Sequence, residues 1–112
     1  MNANANPIEI GTIFSATWGS SMTLVDFYEV VGITKSGKSV KVRQIRSDRA
    51  SEEDRSGDFK VIPIPGDFRG DAMTKRLQVA SWGSNETFFN PGGSRFAAFV
   101  WDGTPQTVNT YD

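Results

Sequence analysis

Asp26-Phe27-Tyr28-Glu29-Val30-Val31-Gly32-Ile33-Thr34-Lys35-Ser36-Gly37-Lys38-Ser39-Val40-Lys41-Val42-Arg43-Gln44-Ile45-Arg46 decides the fold, because two readings compete for it. Residues 32–39 fit the phosphate-loop pattern G-x-x-x-x-G-K-[ST] letter for letter. Such a loop works by ending a strand and opening a helix, whose first amides and dipole hold the phosphates. The segment after Ser39 has no apolar helical stripe. It alternates apolar and polar residues, with β-branched valines at 40 and 42, as a half-exposed strand does. Residues 26–46 are therefore predicted to be a β-hairpin turned at Lys35-Ser36-Gly37-Lys38. The apolar run 96–101 ending in Asp102 imitates a magnesium-binding strand. However, 112 residues scarcely house the parallel α/β sheet that nucleotide hydrolysis requires.

The same periodicity extends outward. No stretch sustains helical spacing for three turns, and Gly or Pro interrupts nearly every ten residues. Strands are expected at 12–17, 59–64, 73–81, 87–90, 95–101 and 107–111. The 59–64 stretch runs into Pro63-Ile64-Pro65-Gly66 and suits an edge, since proline cannot donate to a ladder. Short strands with turn signals at intervals of about eight to twelve residues predict an all-β fold. This would be a small antiparallel β-barrel (SH3-like or related) or a strongly bent sheet of six to eight short strands. A short helix at 67–76 is the alternative to an early start of the strand at 73. Residues 1–10 are expected as a flexible N-terminal arm and 11–112 as a single β domain, with a mobile acidic loop at 47–58.

The composition narrows the function. Twelve Lys and Arg against thirteen Asp and Glu leave a formal charge of −1, so no strong global field draws in nucleic acid. The absence of His and Cys excludes disulfides, thiol or imidazole catalysis and the usual structural zinc sites. Nothing in the spacing of Asp26, Glu29, Asp67, Asp71 and Asp102 selects an acid–base pair. The chain is expected to be non-enzymatic, with no catalytic residue, cofactor or metal site. The polar start Met1-Asn2-Ala3-Asn4-Ala5-Asn6-Pro7 is not a signal peptide, and the longest apolar run is six residues. No membrane association is expected.

Two binding constellations remain. Residues 35–50 carry Lys35, Lys38, Lys41, Arg43, Arg46 and Arg49 against Asp48 alone, a local charge of +5 followed by an acidic −3 over 51–58. A basic hairpin of this kind is the case for a nucleic-acid-binding barrel. The other constellation is aromatic: Trp18, Trp82, Phe88 and Phe89 are expected to gather at one end of the fold and anchor a protein partner. Ala16-Thr17-Trp18-Gly19-Ser20-Ser21-Met22-Thr23 and Ala80-Ser81-Trp82-Gly83-Ser84-Asn85-Glu86-Thr87 echo one another, as two similar strand-end turns or as a paired aromatic rim for a ligand. Apolar residues preceding Trp18 favour a core ring there, and polar flanks at Trp82 favour a contact ring.

Trp18-Gly19, Thr23, Asp26-Phe27-Tyr28-Glu29-Val30-Val31 and the closing Trp101-Asp102-Gly103-Thr104-Pro105 resemble a set of small proteins from bacteriophages and mobile elements. In these, a W-G-Y…T…D-F-Y-x-V-V segment opens the chain and W-D-G-x-P closes it. Ser20 stands where that pattern has Tyr, and residues 48–75 match none of it. The resemblance implies an accessory protein acting in the bacterial cytoplasm, as a monomer or small homo-oligomer. It would bind and inhibit or redirect a host protein, such as a CRISPR effector or another defence factor.

Overall fold

A computed structural model of the chain describes residues 8–19, 23–52, 55, 57–79, 86–92 and 97–109. The hairpin is its spine. Strands β2 (Leu24–Ile33) and β3 (Ser39–Arg49) pair antiparallel, with Phe27 opposite Ile45 and Val30 opposite Val42. Thr34 closes the turn: its N–H and Oγ1 donate to the Ser39 carbonyl, and Oγ1 accepts from the Ser39 N–H. Gly37 takes the left-handed φ of +74° that the turn demands. A strand follows Ser39, so the phosphate-loop letters spell a β-turn with no helix N-terminus.

The remaining strands are β1 (Ile13–Trp18), β4 (Asp58–Phe68), β5 (Met73–Arg76), β6 (Gln78–Val79), β7 (Thr87–Phe89), β8 (Ala98–Val100) and β9 (Gln106–Asn109). They form one bent antiparallel sheet in the order β6-β7-β8-β1-β2-β3-β4-β9, with β5 also on β3. It is the bent sheet, not a closed barrel, with nine strands among the described residues. The count exceeds expectation because the stretch 73–79 divides at Leu77: β5 pairs with β3 and β6 with β7. No helix forms at 67–76, where β4 runs on to Phe68. The loop expected at 47–58 is shorter, because Ser47, Asp48 and Arg49 continue β3 against Pro63, Ile62 and Val61. The arm is also shorter than predicted: Ile8 packs against a core, and the Gly11 N–H donates to the Val30 carbonyl.

β3 pairs with β5 near its start and with β4 near its end. Between Pro63, opposite Ser47, and Phe68, opposite Ile45, β4 throws out a bulge around Gly66. Pro63 fits because of the register. The Ala50 N–H donates to the Lys60 carbonyl, so the 47/63 pair is a non-hydrogen-bonded one and the proline nitrogen points away from β3. On its far side β9 has already ended, at Gln106 opposite Val61.

Consecutive Phe27 and Tyr28 are both buried, because β2 lies between two cores on opposite faces of the sheet. The larger holds Phe14, Ala16, Tyr28, Val30, Val40, Val42, Phe89 and Ala98, with Met73 and Leu77 at its margin. The Phe89 ring centroid lies 4.9 Å from that of Phe14 and 5.6 Å from that of Tyr28. The smaller core holds Phe27, Ile45, Val61 and Val108, with the Trp101 ring edge-on to Phe27 at 6.1 Å. β9 curls back over it, and Asn109 exchanges backbone hydrogen bonds of 2.7 and 2.8 Å with Thr23.

Candidate functional site

Alternation along β7 sends its two phenylalanines to opposite faces. Phe89 is fully buried in the larger core, which corrects its assignment as a partner anchor: no part of the ring reaches solvent. Phe88 faces the other way. Its register partner on β8 is Phe99, and the two half-buried rings lie tilted at 40° with centroids 5.5 Å apart, outside both buried cores. Phe99 in turn lies opposite Ser15 of β1.

Trp18 does not join them, because it stands three positions beyond Ser15, an odd offset that places it on the opposite face. It is 38% exposed, which corrects its reading as a core ring. Its Nε1 donates to Asp26 Oδ2 at 3.0 Å. Burial pushes the Asp26 carboxyl above its ordinary range, opposed by the Trp18 bond and the Arg69 charge. Burial and the Asp26 charge push Tyr28, further along the same face, up to about 12. The phenol therefore stays neutral at physiological pH. Trp82 and most of the second tryptophan–glycine echo lie outside the described residues.

The six basic residues do not form one surface. Arg43 Nε donates to the Gly70 carbonyl at 2.8 Å, with its guanidinium 4.5 Å from the centre of the Phe68 ring. Arg49 lies 4.1 Å over Phe59. Arg46, on the opposite face of β3 from those two, pairs with Asp67 at 2.9 Å. Lys35 and Lys38 are exposed at the hairpin turn, and Lys41 is exposed on the Arg43 face.

Sequence reasoning passed over a groove beside Phe99. The chain leaves β8 at Trp101, whose N–H donates to the Ile13 carbonyl at 2.8 Å, and turns back towards β9. Between this connection and the outer face of β1 and β8 lies an open groove of about 420 Å³. Phe99, Ser15 and Thr17 line it from the sheet, Asp102 from the connection, Gln106 from the start of β9, and Glu86 from the approach to β7.

The connection is stiffly built. Asp102 Oδ1 accepts from the Thr104 N–H at 2.9 Å and from Thr104 Oγ1 at 2.6 Å. The Thr104 carbonyl accepts from Trp101 Nε1 at 2.7 Å and from Gln106 Nε2 at 2.9 Å, and Gly103 supplies a φ of +89°. The Thr104 bonds hold the Asp102 carboxyl below the usual carboxylate range, so it is ionised at neutral pH. The letters W-D-G-T are the signal that reasoning from sequence had available. Asp-Gly-Thr announces a turn closed by the aspartate, but not the strands it folds against.

Among the described residues, no group of three acidic side chains is placed to hold a metal ion. No helix there is long and apolar enough to cross a membrane. No family model matches the chain, and no curated protein or solved structure is significantly similar to it.

Proposed function

We propose that this chain is a non-enzymatic binding protein of the accessory kind carried by bacteriophages and mobile elements. It occupies a host protein inside the bacterial cell and so inhibits or redirects it, as a counter-defence inhibitor does. The observation that carries the binding role is the Phe88–Phe99 pair, which packs half-buried on the outer face of β7 and β8, with Phe99 lining the groove. Aromatic rings on a rigid sheet bury large area at small entropic cost and are enriched at binding hot spots. The phage origin rests on the tryptophan–glycine opening and W-D-G-x-P closing motifs.

The second reading, nucleic-acid binding through the basic hairpin, draws on exposed Lys35, Lys38 and Lys41. Arg43, Arg46 and Arg49 weaken it, since all three are engaged within the chain. The immobilised chain, incubated with nuclease-treated bacterial lysate, tests both. A specific protein is expected to stay bound to the wild type, with retention cut about tenfold or more by Phe88→Ala combined with Phe99→Ala. Far-UV circular dichroism checks that the variant is folded. Capture that vanishes with nuclease would favour nucleic acid, and full retention by the folded double variant would overturn the assigned face.

A further inference from the structure

The fold twice solves one problem in the same way. Phe68 and Phe59 are partly exposed, and each is covered by an arginine of the chain itself. Over Phe68 the guanidinium also finds an oxygen, the Gly70 carbonyl. A planar cation over a ring with an acceptor beside it combines cation–π attraction with a charge-assisted hydrogen bond. Phe99 offers the outside the same pair of features, a half-buried ring with the Asp102 carboxylate lining the same groove. The charged residues lining this groove, Glu86 and Asp102, are both acidic. The hydrogen bonds from Thr104 and Gln106 to Asp102 fall on Oδ1, so Oδ2 is the oxygen a ligand would meet.

We propose that the groove seats an arginine side chain of the bound protein, its guanidinium lying against Phe99 and pairing with Asp102, with the Ser15 and Thr17 hydroxyls as further acceptors. This rests on the reading of the chain as a protein-binding module and names the chemistry its partner presents. Charge complementarity selects the occupant. A neutral ligand such as a sugar would hydrogen-bond the carboxylate but leave its charge uncompensated, whereas a guanidinium supplies both the hydrogen bonds and the opposite charge. Arginine is preferred to lysine because its planar fork can stack and donate at once.

The test uses the isotope-labelled full chain and N-acetyl-arginine methylamide as probe, followed by amide chemical shifts. Saturable shifts are expected at Ser15, Phe99 and Thr104. N-acetyl-citrulline methylamide, the uncharged isostere, should produce none. Asp102→Asn retains an oxygen for the Thr104 turn and should weaken binding about tenfold or more, the loss expected of one hydrogen bond to a charged group. Equal shifts from the citrulline compound, shifts from methyl glucoside in place of arginine, or unchanged binding to Asp102→Asn would each overturn the proposal. The lysate experiment separates the two claims. If capture depends on Phe88 and Phe99 but is untouched by Asp102→Asn, the binding function stands and the arginine seat falls. If the arginine probe binds and no protein is captured, the binding function falls.

Discussion

Phe88 and Phe89 are chemically identical neighbours whose substitutions should have different consequences, and the difference tests the assigned faces. Truncating Phe89 leaves a cavity against Phe14 and Tyr28, so Phe89→Ala is expected to cost about 3–5 kcal/mol and to unfold much of the population. Phe88→Ala removes a half-buried ring on the outer face and should cost about 1 kcal/mol. Urea midpoints of the two variants give the comparison, and equal losses would contradict the register of β7. Asp26 provides a second test at this scale. Its folded-state pKa is raised, chiefly by burial, so the folded chain holds the proton more tightly than the unfolded one. The resulting stability is fully present below the unfolded pKa and is lost as pH rises through the raised value. Trp18 Nε1 favours the ionised form, so Trp18→Phe should move the Asp26 pKa higher still and extend that loss to higher pH. Carboxyl carbon-13 titration measures the shift, and an unchanged or lower value would show that the indole bond does not hold the carboxylate.

For single elements, the hairpin turn separates a conformational requirement from a chance motif. Gly37 occupies a left-handed φ with open space around the missing Cβ, so Gly37→Ala suffers backbone strain without a clash and should lose about 1–2 kcal/mol. Lys38→Ala should stay within about 0.5 kcal/mol of the wild type. ATP binding by calorimetry, abolished by Lys38→Ala, would restore the phosphate-loop reading. This hairpin was legible because the alternation of β3 stands out from Val40 to Arg43, directly after a turn-forming tetrapeptide. Other elements were legible only in outline. Phe27 and Tyr28 gave no alternation to read, because β2 is buried on both faces. In β7, three residues are too few to say which phenylalanine turns inward. The bulge around Gly66 hid the continuation of β4 to Phe68. The groove was invisible for a different reason. Ser15 and Asp102 stand far apart in the chain and meet only because β8 pairs with β1 before the chain turns back, a long-range arrangement that no local pattern encodes.

Across the whole molecule, the unusual feature is that two buried cores share one pair of strands. Tyr28, Val30, Val40 and Val42 enter the larger core, while Phe27 and Ile45 of the same strands enter the smaller. The smaller is closed by β4, by β9 and by the Trp101 ring, all of which depend on β2 and β3 for backbone partners or packing. Separate melting of the smaller core would expose Phe27 and Ile45 while their strands stayed fixed by the larger, forfeiting burial with little gain of chain entropy. Melting of the larger core would in turn leave β2 and β3 unsupported beneath the smaller. The chain is therefore expected to unfold in a single cooperative transition, even though its cores face opposite ways. A chain carrying Trp18→Phe and Trp82→Phe retains Trp101 as its sole fluorophore of that type, reporting on the smaller core. In urea, its fluorescence and the far-UV circular dichroism of the whole sheet should give coincident midpoints. Val108→Ala in the smaller core should lower both midpoints together, by about 1–3 kcal/mol in stability at an unchanged denaturant slope. Loss of the Trp101 signal at lower urea than the dichroism would show that β4 and β9 melt as a unit of their own. The connection that walls the groove would then be free to open without unfolding β1 and β8.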